Sequence, residues 1–343
     1  MKRRSFLRNV GAAAGAGAIA SPVVARESVP AAPTAGALAR RVLGRTGASL
    51  PVVGFPGLAL QRHQESECKA LLRQAMDQGV NYFDVAPSYG RDGECETKMG
   101  VGLQGLARDS YFLACKTKAD DKDGALRELE RSLVRLKTDH FDLYQLHCLE
   151  RPGEVDQARG PGGALEAIVK AKEEGKVRHI GFSAHTTKAA LAALEGFAFD
   201  SCMFPINFVE YFRIGFGKAV LELAARKGTA VIAIKPVSRG LWPKGEPRTY
   251  DWWYRPLEDP GETARAMNWV LSQPGEVNTH PASFLDVFER TLKAARAFHP
   301  VTPEETDELK RLAATCESVF ERAEAAVAIG APPDWSRHSH RPG

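Results

Sequence analysis

The stretch Gly79-Val80-Asn81-Tyr82-Phe83-Asp84-Val85-Ala86-Pro87-Ser88-Tyr89-Gly90 decides how the chain is read. Asn81 to Val85 is rich in strand formers, and Pro87 and Gly90 then force a loop, so Asp84 is expected at the C-terminal end of a strand with Tyr89 just beyond. Two similar strand ends follow, each after an interval long enough for a helix. Tyr111-Phe112-Leu113-Ala114-Cys115 runs into Lys116, and Phe141-Asp142-Leu143-Tyr144-Gln145-Leu146 runs into His147. Four polar side chains are thus expected to converge on one rim.

The same alternation extends outward in both directions. Further strands are read at Val52 to Phe55, Arg178 to Phe182, Ser201 to Pro205, Thr229 to Lys235 and Glu276 to His280. Helices are read at Glu65 to Gln78, Asp123 to Leu136, Gly163 to Glu174, Lys188 to Gly196, Lys218 to Lys227, Thr263 to Ser272, near Leu285 to Ala297, and Pro303 to Ala325. Strand–helix alternation requires a parallel sheet. An open doubly wound sheet competes, but the first strand-to-helix turn lacks a G-x-G-x-x-G fingerprint. Eight strands then favour an α/β fold with a single (β/α)8 TIM barrel, preceded by a hairpin at Gly44-Arg45-Thr46-Gly47-Ala48 on the barrel floor. Two strand-to-helix loops are long. Glu150 to Gly162 is polar and turn-rich, and Gly240 to Gly261 carries Trp242, Tyr250, Trp252, Trp253 and Tyr254, expected to wall a pocket.

The strings GVNYFDVAPSYG, FLACKTK, FDLYQLH and EEGKVRHIGFS, in that order, resemble the aldo-keto reductase family over roughly Arg41 to Cys316. The resemblance implies an eight-stranded barrel that reduces a small-molecule carbonyl with a dissociable nicotinamide cofactor, NADP(H) or NAD(H). It assigns Tyr89 as proton donor, assisted by Lys116, Asp84 and His147.

Those residue types suit that chemistry. Hydride delivery leaves charge on the carbonyl oxygen, so an acid must supply a proton there. Tyrosine ionises near a pKa of about 10, and an ammonium about 4 Å away at an effective dielectric of about 20 favours its phenolate by roughly 4 kcal/mol, lowering its pKa by up to about three units. Asp84 is expected to keep a buried Lys116 charged, and His147 to hydrogen-bond the substrate oxygen or relay a proton. Taken singly, each has a bland alternative: a turn cap, loop packing, a solvated rim charge, a satisfied core histidine.

The resemblance also implies a cofactor site, with departures. Ser183 matches the family's Ser-Asn pair, but Ala184 replaces the asparagine and His185 is the stand-in. The family's glutamine falls on Pro205, leaving Asn207 as the nearest amide. Lys235, Ser238 and Arg239 lie in the pyrophosphate-type loop, with Lys235 where an aromatic ring usually stacks. Ser283 is the candidate at the 2′-phosphate site, where Thr291 replaces an asparagine and Arg290 is the nearest cation. A 2′-phosphate needs charge-assisted donors, so weak discrimination between NADPH and NADH is expected. These departures leave a second reading open: an exported barrel that keeps its four polar residues but binds a ligand or partner without turnover.

Residues 1–25 carry Arg3-Arg4-Ser5-Phe6-Leu7-Arg8, an Ala/Gly-rich apolar run and small residues before Ala25, and resemble a twin-arginine export signal. That implies the export machinery as a partner and a periplasmic location. Residues 26–40 read as a linker, 41–325 as the barrel and 326–343 as a tail. The formal net charge of +4 over 343 residues is matched by Lys2, Arg3, Arg4 and Arg8, so the barrel is near neutral and offers no basic surface for nucleic acid. No other apolar run is long enough to span a membrane. Six scattered cysteines, with no C-x-x-C pair and no metal-ligand spacing, read as buried free thiols.

Overall fold

The computed structural model describes residues 37–336 except Glu276, so the proposed export signal lies outside the described residues. The chain enters through an antiparallel hairpin, β1 (Arg40–Val42) and β2 (Ser49–Pro51), as the Gly44 turn predicted. Gly44 has φ +52°, and a Cβ there would lie 2.9 Å from the Ala230 nitrogen and 3.0 Å from the Gly228 oxygen. Only glycine lets the turn press that closely on the N-terminal ends of the barrel strands.

Eight parallel strands follow in sequence order: β3 (Phe55–Pro56), β4 (Tyr82–Asp84), β5 (Phe112–Thr117), β6 (Phe141–Leu149), β7 (Val177–Ala184), β8 (Ser201–Pro205), β9 (Ala230–Ile234) and β10 (Val277–His280). Each pairs with the next. A single bridge, Val53 to Thr279, brings the first back to the last. This is the expected TIM barrel, nearly closed, with helices between its strands.

Around the strands run α1 (Glu65–Asp77), α2 (Glu94–Gly102), α3 (Lys122–Leu136), α4 (Pro152–Arg159), α5 (Ala164–Glu173), α6 (Thr187–Gly196), α7 (Phe208–Ile214), α8 (Lys218–Lys227), α9 (Pro260–Leu271), α10 (Leu285–Arg296), α11 (Pro303–Ala314) and α12 (Glu321–Ala328). Their starts are chemically marked. Asp121 accepts from the Gly124 amide at 2.8 Å to open α3, whose Ala125, Leu129, Leu133 and Leu136 form the buried stripe. Thr302 and Glu305 make a capping box for α11.

Several sequence readings need correction. The stretch 150–162 is not simply a loop, because α4 forms with Pro152 in its first turn and the Glu154 carboxylate accepting from the Glu150 amide at 2.7 Å. Only Val155 and Ala158 are buried on it, too few apolar positions to show a helical period. The helix read from Pro303 to Ala325 breaks into α11 and α12, because the connecting segment dips to hydrogen-bond Glu210 through Ser318 and the Val319 amide. Beyond it Trp335, in the stretch read as tail, packs edge-on against Phe320 and His185. The nine-residue α2 and the seven-residue α7 went unread, although Asn207 caps the start of α7 and Gly215, at φ +69°, ends it.

Candidate active site

Along a strand every second side chain faces the barrel interior. Near the floor these positions form one apolar cluster of Tyr82, Phe112, Ala114, Leu143, Met203, Ala230 and Ile232, together with Leu43 and Leu50 of the hairpin. Two residues further toward the C-terminal ends, the series turns polar: Asp84 after Tyr82, Lys116 after Ala114, Gln145 and then His147 after Leu143. The period of two that builds the barrel therefore also stacks a polar layer on an apolar one.

Lys116 is fully buried and ion-paired with Asp84, itself 4% exposed. Its Nζ also donates to the Val85 carbonyl at 3.1 Å and lies 4.9 Å from the centre of the Tyr89 ring. Burial opposes its charge, but Asp84 and Tyr89 outweigh burial and raise its pKa, so it stays an ammonium. Tyr89 is half-buried and meets His147 edge-on, ring centres 5.8 Å apart. Its hydroxyl is pushed up to about 12, first by burial, with Lys116 pulling down and Asp84 pushing up. Lys116 thus pulls Tyr89 down as expected, but desolvation, with Asp84 beside it, outweighs that pull, so the net shift is upward and not the lowering read from the sequence.

One cavity of about 280 Å³ gathers Asp84, Tyr89 and His147 with Ser183, His185, Lys235 and Ser283. Trp252, Trp253 and Tyr254 of the aromatic loop line it as expected. Trp242 instead donates to the Trp252 carbonyl at 2.8 Å, and Tyr250 binds Asp286. Three expected cofactor residues do not line this cavity. Asn207 caps α7, Ser238 accepts from the Gly240 amide at 3.2 Å, and Arg239 pairs with Glu262 at 2.6 Å. Arg290, the cation expected near Ser283, is held by Tyr250 at 2.8 Å and Asp286 at 3.2 Å.

The family model of the aldo/keto reductases matches residues 52–313, well over half of the chain. The chain belongs to the aldo/keto reductase family. It is 30% identical over 223 residues to L-galactose dehydrogenase of Arabidopsis thaliana, covering 59% of this chain and 66% of that one. Alignments with the first curated relatives span between 35% and 66% of their own lengths. The fold is shared with the aldo-keto reductase AKR11C1 from Bacillus halodurans, TM-score 0.65 at 24% identity, covering 80% of this chain and 96% of that one. It is shared too with an aldo-keto reductase from Klebsiella pneumoniae in complex with NADPH, TM-score 0.61 at 24% identity, covering 89% and 100%.

The chain also places residues in or beside the site that sequence reasoning missed. His280, two positions after Asn278 on β10, lines the cavity, meets Tyr82 edge-on at 4.6 Å and is pushed down to about 4 by burial, so it is neutral. Gln145, two positions before His147, reaches Asp84 at 3.4 Å. Both were legible from the period of two. Arg62 was not. It lies between β3 and α1, stacks 4.1 Å from the centre of the Phe284 ring and donates to the Ser283 carbonyl at 3.2 Å. Lys235, at φ +58°, has Trp253 and Phe320 around its ammonium at 5.2 and 5.7 Å, so aromatic rings surround the position even though the residue itself is not one.

Proposed function

We propose that this protein reduces the carbonyl of a small aldehyde or ketone to an alcohol, with Tyr89 giving the proton. The carrying observation is the buried Lys116–Asp84 pair set beneath the Tyr89 ring at one cavity. The family's nicotinamide cofactor, NADP(H) or NAD(H), supplies the hydride when bound. The donor set suits it: the Ser183 hydroxyl, the His185 ring and the Lys235 ammonium share the cavity, and Ser283 with Arg62 would hold the phosphate-bearing end. At about 280 Å³ the cavity suits only the ring end of a dinucleotide, being just under the roughly 300–1,000 Å³ of ordinary ligand pockets.

Each side chain then has a role that follows from its surroundings. Because Tyr89 ionises near 12, it keeps its proton at neutral pH and is in the form an acid must take. The oxygen that receives it becomes an alkoxide, a stronger base than a phenolate, so donation runs downhill as that charge forms. Lys116 stabilises the phenolate left behind, and Asp84 keeps Lys116 charged through the cycle. His147, edge-on to Tyr89 at the same cavity, orients the carbonyl oxygen toward the hydroxyl. The relatives carry oxidoreductase names, which does not favour a binding barrel without turnover. The test is consumption of NADPH or NADH by purified protein over a panel of aldehydes and ketones. A panel with no turnover by protein that binds the cofactor would remove the reading.

We also propose export by the twin-arginine route to the periplasm. Support comes from the order Arg3-Arg4, apolar run, small residues in residues 1–25. Among the described residues no helix is long and apolar enough to cross a membrane. Replacing Arg3 and Arg4 by lysine should leave the protein in the cytoplasmic fraction; unchanged periplasmic yield would refute this.

A further inference from the structure

Between Leu146 and Leu149 the pairing of β6 with β7 slips, and Cys148 takes the left-handed conformation at φ +65°. In a regular strand His147 and Cys148 would face opposite sides of the sheet, whereas here both line the cavity. Non-glycine residues in that conformation are uncommon, and such strain concentrates at functional positions. The Cys148 amide donates to the Ser183 hydroxyl at 2.7 Å, which ties down the distorted backbone.

The sulfur sits in a directional hydrogen-bond chain. Lys235 Nζ lies 3.1 Å from His185 Nε2. An ammonium only donates, so this contact puts the lone pair on Nε2 and the proton on Nδ1. Nδ1 is 3.0 Å from Cys148 Sγ and therefore donates to it. On the sulfur's other side Glu150 Oε1, at 3.6 Å, accepts the thiol proton, while Oε2 accepts from Trp335 Nε1 at 3.3 Å. A thiol between a carboxylate base and an N–H donor can lose its proton while the sulfur keeps a partner for its charge.

Cys148, Glu150 and His185 offer ligand atoms within 4.8 Å of one another, a spacing that a zinc ion also uses. Lys235 argues against a metal. An ion on Nδ1 would leave the proton on Nε2, facing an ammonium that cannot accept it.

We propose that Cys148 is a nucleophilic thiol that captures α,β-unsaturated aldehydes and ketones covalently inside this cavity. The S–H proton passes to Glu150 as the sulfur–β-carbon bond forms, and the C=C π pair moves onto the carbonyl as an enolate. The enolate's α-carbon then takes up one proton, so the net change is addition of S–H across the double bond, with no oxidant or reductant consumed. The inference goes beyond carbonyl reduction and does not depend on it, because its product is a mass change on the protein. The other five cysteines are buried and free, and burial raises their thiols, which leaves Cys148 as the reactive one.

The test is acrolein added to the full chain, followed by intact-mass and peptide mass spectrometry. One thiol adduct per chain is expected at position 148, forming about tenfold faster than at any other cysteine, and it should vanish in Cys148→Ser. Its rate should rise with pH as the thiolate forms, and Lys235→Met should move that rise to higher pH. Adducts spread over several cysteines at similar rates, or a Lys235→Met profile identical to wild type, would overturn the proposal. So would stoichiometric binding of zinc ion alone that is lost in Cys148→Ser, since the cluster would then be a metal site.

Discussion

The ammonium of Lys116 lies 4.9 Å from the centre of the Tyr89 ring while its charge is bound by Asp84. Tyr89 thus sees a cation already partly neutralised, and its proton stays in place until a stronger base arises beside it. Tyr89→Phe should lower kcat for carbonyl reduction by about a hundredfold to ten-thousandfold and leave cofactor affinity unchanged, because the ring still packs and only the acid is lost. Lys116→Met should lower kcat similarly. Steady-state kinetics with a cofactor fluorescence titration separates the two quantities. Equal turnover by Tyr89→Phe would show that the proton comes from elsewhere.

Arg62 donates to the Ser283 carbonyl, and among the described residues no carboxylate accepts a hydrogen bond from it, whereas Arg290 is held by Asp286 and Tyr250. Wild type is expected to prefer NADPH over NADH by less than about a hundredfold, roughly 2.7 kcal/mol. Arg62→Ala should remove most of that preference by weakening NADPH binding alone. Fluorescence titration of both proteins with both cofactors checks it; a parallel loss for NADH would mean that Arg62 only supports Phe284.

Glu210, fully buried, is pushed up to about 7 by burial, with hydrogen bonds from Ser318 and the Val319 and Phe320 amides pulling it back. Unfolded, it would ionise near 4.3, so between those values the folded state holds a proton that the unfolded chain has released. This contribution to stability is complete below about pH 4.3 and is lost as pH rises through about 7, by an amount on the order of 3 kcal/mol. Glu210→Gln should flatten that part of the profile. Urea unfolding at about pH 5 and about pH 8 measures it, and an unaltered slope in the variant would assign the effect to another group.

Gly44→Ala should cost more than about 1 kcal/mol of stability without lowering kcat, since the strained turn sits under the floor and the chemistry at the opposite rim. Thermal melting and an activity assay on the same preparation decide it. A fall in kcat with unchanged melting would disprove the separation.

Much of this was legible because barrel strands repeat every two residues and end in turn formers. Asp84, Lys116 and His147 could be placed on one rim from that period alone, and the same period reaches Gln145 and His280. What escaped had no period to betray it. Two buried side chains, Val155 and Ala158, do not announce α4. Arg62 reaches the cavity residue Ser283, and Phe320 and Trp335 pack against the cavity residue His185, all from distant parts of the chain, so their meeting depends on tertiary packing. Cys148 was hidden for the opposite reason: a regular strand puts it on the face away from His147, and only the register slip turns it inward.

The first strand joins the last by one bridge, with Gly54 donating to the Thr279 carbonyl at 2.9 Å and Thr279 donating to the Val52 carbonyl at 2.8 Å. Every other neighbour around the ring has at least two paired positions, and most have three or more. A cylinder whose backbone pairing is thinnest on one side, though reinforced there by the Asn278 side-chain amide and Thr279 hydroxyl donating to the Pro51 and Val52 carbonyls at 2.9 and 2.8 Å, has a preferred line of opening. Thermal breathing would part the wall there first, giving the Gly54 and Thr279 amides early solvent exchange while strands across the ring stay protected, and allowing the bore to widen without dismantling the opposite wall.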